Sequence, residues 1–147
     1  MLGFFNIHER IKEVTPFEVS NFVIEEIALQ SSYIPFHGQG EVLFKKGDPA
    51  LGFYWILRGE AEVLIPDRSN ITLGPGSMAG LDSFIEDENL PFDILNKSKH
   101  LDCLFIDRRC YKSMQEHQEF NRHMNYMVLN CLKNYRNLLI SNERMYL

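Results

Sequence analysis

Hydrophobic positions change their spacing twice along this chain. Up to about Leu29 they fall three and four residues apart. From Tyr33 to about Leu73, and again from Phe92 to Asp107, they alternate or run in short blocks broken by turn residues. From Arg108 onward they again recur every three or four. A period near 3.6 indicates helices packed on one face, and a period of two indicates strands. The pattern therefore predicts helices over 1–30, strands over 31–107 and helices over 108–147.

In the first region, Ile7, Ile11 and Val14 suggest a short helix. Thr15-Pro16-Phe17-Glu18 reads as the start of the next one: Thr15 can cap, Pro16 suits the first helical position and Glu18 completes a capping box. Val19, Phe22, Val23 and Ile27 then share a face, giving a helix to about Leu29.

The strand region is punctuated by Gly38-Gln39-Gly40, Gly47-Asp48-Pro49, Arg58-Gly59, Pro66-Asp67 and Gly74-Pro75-Gly76. Between two of these lies an aromatic run, Phe53-Tyr54-Trp55-Ile56-Leu57. Gly59 turns it directly into the alternating Ala61-Glu62-Val63-Leu64-Ile65. Short strands joined by tight glycine turns predict an antiparallel jelly-roll β-barrel, so the fold class is mainly β with flanking helices. Ser77 to Leu90 separates the two strand groups, and Leu81-Asp82-Ser83-Phe84-Ile85 predicts a short helix near 80–86.

Arg109 to His117 predicts one helix, and a long one follows. In it Phe120, Met124, Met127, Cys131, Tyr135, Leu138, Asn142 and Met145 form a stripe. The stripe packs on the chain's own barrel or forms the seam of a homodimer. Its length exceeds what one small barrel covers, which favours the seam, with Asn142 as a polar residue fixing register.

The chain has 147 residues, enough for one domain with a core of its own. Net charge is −5, against a nucleic-acid-binding role for the molecule as a whole. The end is basic, however: Arg122, Lys133, Arg136 and Arg144 stand against Glu143 alone from Phe120 on. A solvated helix face and a surface for DNA or an acidic partner both fit that bias. Cys103, Cys110 and Cys131 follow no metal spacing and cannot all pair, which points to a reducing cytoplasm. Met1 to Asn6 lacks the basic and apolar runs of a signal peptide, and no stretch approaches the roughly 20 apolar residues of a membrane span.

Little suggests an enzyme. A cupin uses the same roll with histidines clustered on a metal. Here His8, His37, His100, His117 and His123 form no His-x-His pair and have no carboxylate at metal spacing. His37 reads as a pocket or turn residue. Ser83 and Cys103 have no base nearby in sequence. Neither a metal nor a catalytic residue is expected.

The order of helices, glycine-turned roll, short interrupting helix and long final helix resembles the cyclic-nucleotide-binding domain. More narrowly it resembles the sensor half of the Crp–Fnr transcription regulators. The residues that carry the likeness are Gly47-Asp48, Phe53 to Leu57, Gly59, Gly74-Pro75-Gly76, Gly80 and the helix from Phe120. The stretches Ala79-Gly80-Leu81-Asp82-Ser83-Phe84 and Ile140-Ser141-Asn142-Glu143-Arg144-Met145 resemble a divergent Bacteroidetes-type subgroup.

That resemblance implies a phosphate cassette: a glycine, a glutamate after it for the ribose 2′-hydroxyl, and an arginine about ten residues on for the cyclic phosphate. Gly80 keeps the first element. Leu81 stands in place of the glutamate, Pro91 in place of the arginine, and Phe92 where a small hydroxyl residue is usual. Asp82 comes one place too late, and Ser83 follows it. No Arg or Lys lies between Arg68 and Lys97, and Glu86, Asp87 and Glu88 add negative charge. Losing one partner of a buried charge pair costs roughly 2–5 kcal/mol. A barrel unable to hold cyclic AMP or GMP is expected, its pocket collapsed or open to a less anionic small-molecule effector. The family's helix-turn-helix would follow the long helix, and these residues contain none, so DNA contact is expected only through a domain beyond them.

Overall fold

A computed structural model of the chain describes residues 6–15 and 18–144. Two helices open it, α1 (Ile7–Val14) and α2 (Asn21–Gln30). Eight strands follow: β1 (Ser32–Phe36), β2 (Val42–Phe44), β3 (Gly52–Arg58), β4 (Ala61–Leu64), β5 (Ile71–Leu73), β6 (Met78–Ala79), β7 (Asp93–Asn96) and β8 (Leu101–Asp107). Helix α3 (Leu81–Glu86) interrupts them after β6, and α4 (Arg108–Gln115) and α5 (Gln118–Arg144) close the chain.

The second helix begins later than the sequence predicts. Ser20, not Thr15, is its N-cap, with Ser20 Oγ accepting from the Val23 N–H at 3.4 Å. Thr15 instead closes α1: its N–H and its hydroxyl both donate to Ile11 O, at 3.1 and 2.6 Å. Pro16 and Phe17 lie outside the described residues. Val23, Ile24 and Ile27 make the buried face of α2, whereas Phe22 is exposed, with its ring edge-on to His117.

All strand pairs are antiparallel, in two four-stranded sheets ordered β1-β8-β3-β6 and β2-β7-β4-β5. β1 pairs with β8, β2 with β7, β3 with β6 and β4 with β5. This is the order of one long ribbon rolled upon itself, a jelly roll. Neither sheet closes into a continuous barrel, so the predicted barrel is two facing open sheets. The strand β6 falls within the stretch that the sequence assigned to the interval between strand groups.

β4 alternates buried and half-buried as predicted. β3 does not: Phe53, Trp55, Ile56 and Leu57 are all fully buried. The reason is that β3 is central in its sheet and helices α1 and α3 lie on it. Phe53 meets Phe84 of α3 at 5.2 Å between ring centroids, and Tyr111 of α4 edge-on. Arg10 of α1 donates to Leu57 O, through Nε at 3.0 Å. Buried apolar surface on both faces of β3 thus anchors the helices that shape the site.

The turn at Gly59 needs glycine. Its φ is +91°, and a Cβ there would stand 2.3 Å from His100 O. The adjacent Glu60 N–H donates to Ser98 Oγ at 3.1 Å, binding the β3–β4 turn to the β7–β8 loop. Among the described residues, no helix is long and apolar enough to cross a membrane.

Candidate functional site

Helix α3 owes its position to Gly80. This residue adopts φ +84° at the N-cap, and a Cβ would lie 2.5 Å from Phe44 Cε2. Only glycine lets β6 turn so sharply against β2. The helix then buries Leu81, Ser83 and Phe84 and leaves Asp82 and Glu86 toward solvent and α5. It stops at Asp87, which takes a left-handed conformation with φ +55°.

The segment after α3 is tied to the Gly47-Asp48 turn. Gly47 N–H donates to Leu90 O and Leu90 N–H to Asp48 O, both at 2.8 Å. That pairing holds Pro91 and Phe92 beside α3. Together with Val63, Leu73, Met78 and Ile94 they enclose a cavity of about 60 Å³. Gly80, Leu81, Asp82, Ser83, Pro91 and Phe92 all line it, so the structure gathers the six predicted site residues around one space. Leu81 is fully inside, Phe92 is half-buried and Pro91 is exposed at the rim. Small-molecule sites usually offer about 300–1,000 Å³. This cavity has room for only a few water-sized molecules.

The fourth wall is α5 of the same chain: Cys131, Leu132, Tyr135 and Leu139 complete the lining. The apolar stripe therefore faces inward over much of its length. Met124 and Met127 are buried in the chain's own core along with Val128 and Leu132, so their burial is complete without a partner. Cys131 and Tyr135 are half-buried against the cavity, and Leu138 is exposed beside an open groove on the other flank of α5. The side chains of Phe120 and Asn142, and the whole of Met145, lie outside the described residues. A different face of α5 carries exposed apolar groups: Tyr126, Leu129 and Ile140, with Lys133 among them.

Two guanidinium groups reach α3 from far along the chain, which the sequence did not foretell. Arg136 Nη2 lies 3.1 Å from Asp82 Oδ1 and 3.0 Å from Glu86 Oε1. Arg108 sits 4.5 Å over the Phe84 ring, donates to Phe84 O at 3.2 Å and lies 3.4 Å from Asp87 Oδ1. Both are engaged with groups of α3. A phosphate taking Arg136 would displace it from two carboxylates and then face them. No local signal marks either arginine, because each lies in a helix remote in sequence from the cassette.

The Tyr135 hydroxyl and the Cys131 thiol in the cavity wall keep their protons at neutral pH. Burial pushes the Tyr135 hydroxyl up to about 12, with the Asp82 charge adding to the effect. Burial pushes the Cys131 thiol up to about 11, against a smaller opposing effect of a backbone hydrogen bond. Cys103 and Cys110 are pushed up to about 12, again mainly by burial. None of the three thiols has the lowered pKa of an activated nucleophile. His37 and His100 stack edge-on at 5.8 Å and line no part of the cavity. Among the described residues no cluster of three metal-ligating side chains occurs.

Residues 36–118 match the family described as "Cyclic nucleotide-binding domain". No curated protein matches the chain in sequence. Solved structures do match it in fold. A cyclic nucleotide-binding domain from Methylobacillus flagellatus is 19% identical, with a TM-score of 0.76 over 88% of this chain and 78% of that one. A putative cyclic nucleotide-binding protein from Geobacter metallireducens is 21% identical, with a TM-score of 0.66 over 88% of this chain and 98% of that one. The regulatory domain of Toxoplasma gondii PKA, crystallised with cAMP, is 15% identical, with a TM-score of 0.65 over 89% of this chain and 49% of that one.

Proposed function

The chain belongs to the cyclic nucleotide-binding domain family, and from that premise we propose that it is a sensor domain that has lost the cyclic nucleotide. The reading extends to a bacterial, cytoplasmic transcription regulator of the Crp–Fnr kind, in which DNA is contacted by a separate domain. The observation that carries the pocket part is the cavity itself. It is about 60 Å³, walled by Leu81, Pro91, Phe92 and the chain's own α5. Arg136, which reaches α3 from α5, is bound to Asp82 and Glu86. A cyclic nucleotide needs space and an unengaged cation; the small volume and the lack of a cation among the described lining residues support the reading.

Isothermal titration of the purified chain with cyclic AMP and cyclic GMP tests this. The expected result is no saturable heat at micromolar ligand. Low-micromolar binding of either nucleotide sinks the reading.

In the same proposal the chain forms a homodimer through α5. Because Met124 and Met127 are already buried within one chain, the contact would use the exposed Tyr126, Leu129 and Ile140. That exposed face also favours a second reading, a freestanding dimeric interaction module with an inert pocket. The coding sequence beyond Leu147 discriminates the two: a helix-turn-helix there supports the regulator.

A further inference from the structure

Asp82 and Glu86 are four residues apart on α3, so they share one face of that helix. Arg136 grips both from α5, at 3.1 and 3.0 Å. The same two turns of α5 send Leu132, Tyr135 and Leu139 into the cavity wall. The lid and its fastening therefore occupy one segment. Helix α3 has six residues, too few to hold its place by backbone bonding alone, so its outer face depends on what grips it. The charge arrangement is also one-sided. When Arg136 leaves, Asp82 in the lining and Glu86 one turn on lose their cation, and the described lining residues supply no other; the wall is otherwise apolar apart from the Ser83 and Tyr135 hydroxyls and the Cys131 thiol.

We propose that Arg136 is a latch that closes α5 over the cavity in the unliganded chain, and that its release opens a site for a small uncharged, largely apolar molecule. The latch rests on the ion-pair geometry alone. The ligand class rests on the reading above that the pocket rejects an anionic nucleotide. Closed, the space is too small for a ligand of ordinary size, so binding requires α5 to move. A molecule that binds only the open form shifts the balance toward it.

Cys131 reports the opening, since it is a free thiol in the cavity wall. Its alkylation by N-ethylmaleimide is followed by peptide mass, with Cys103 and Cys110 as internal controls in the core. Arg136→Gln is expected to speed Cys131 labelling about one-and-a-half- to fivefold, the range for half-exposed ion pairs, and to leave the other two thiols unchanged. Raising salt from about 0.05 M to about 1 M should speed labelling of the unaltered chain and have no effect on Arg136→Gln. The double substitution Asp82→Asn with Glu86→Gln should behave as Arg136→Gln does. An unchanged Cys131 rate, a salt response retained in Arg136→Gln, or equal acceleration of all three thiols in both variants overturns the latch. In the Arg136→Gln chain, millimolar indole should slow Cys131 labelling and cyclic AMP should not. Failure of indole overturns the ligand class and leaves the latch standing. Protection by cyclic AMP overturns the ligand class and the proposed function together.

Discussion

Gly59 and Gly80 do different work with the same backbone freedom. Both have φ near +90°, where a side chain is strained. At Gly59 the obstacle to a Cβ is the backbone oxygen of His100, at 2.3 Å. At Gly80 it is the edge of the Phe44 ring, at 2.5 Å, and a ring can tilt aside. Gly80→Ala is therefore expected to lower unfolding stability by about 1–3 kcal/mol, and Gly59→Ala by more. Urea denaturation of the two variants checks the order, and a larger loss at Gly80 contradicts it. Both glycines were legible as turns from the residues around them. The close neighbours that make them obligatory were not, because His100 and Phe44 lie about 40 residues away in sequence.

Helix α5 shows how far periodicity carries. Its stripe was visible in the sequence from Phe120 to Met145, and so was the long helix. Spacing alone could not say what the stripe meets, since a barrel and a second helix both bury the same apolar face. In the structure Met124, Met127, Cys131 and Tyr135 of the stripe cover the chain's own core and cavity, Leu138 is exposed, and Tyr126, Leu129 and Ile140 point elsewhere. The two faces predict opposite responses. Met127→Glu places a charge where 5% of the residue is exposed and should cost at least about 3 kcal/mol of stability. Leu129→Glu, at 67% exposure, should change stability by no more than about 0.5 kcal/mol. Analytical ultracentrifugation should give a dimer for the unaltered chain and a folded monomer for Leu129→Glu. A folded dimer in that variant contradicts an interface on the outer face. The boundary of α2 teaches the complementary lesson. Thr15 and Ser20 both offer capping hydroxyls, and which of them caps was decided by where α1 ends.

At the level of the whole molecule, buried acids tie stability to alkaline pH. Cys103 and Cys110 are raised from 9.0 to about 12, and Tyr135 from 10.0 to about 12. Below pH 9 both folded and unfolded chains keep the thiol protons, so these groups impose no slope. Between pH 9 and 12 the unfolded chain releases them and the folded chain does not, so stability falls as pH rises. Each thiol contributes at most about 1.4 kcal/mol per pH unit in that window. Urea midpoints at about pH 8 and about pH 10.5 measure the fall, and Cys103→Ala should flatten it. An identical slope in that variant removes Cys103 from the account. The sequence by itself determined the class of fold, the turns, the short helix near 80–86 and the run from Ser69 to Asn96 without Arg or Lys. These are properties of a residue and its near neighbours, set by backbone sterics, hydrophobic period and side-chain charge. Only the tertiary structure decided which face of α5 turns inward, that the sheets stay open, that Arg136 crosses 50 residues to pair with α3, and that the cavity is small. Those outcomes depend on which distant groups meet when apolar area is buried, and no local pattern encodes that choice.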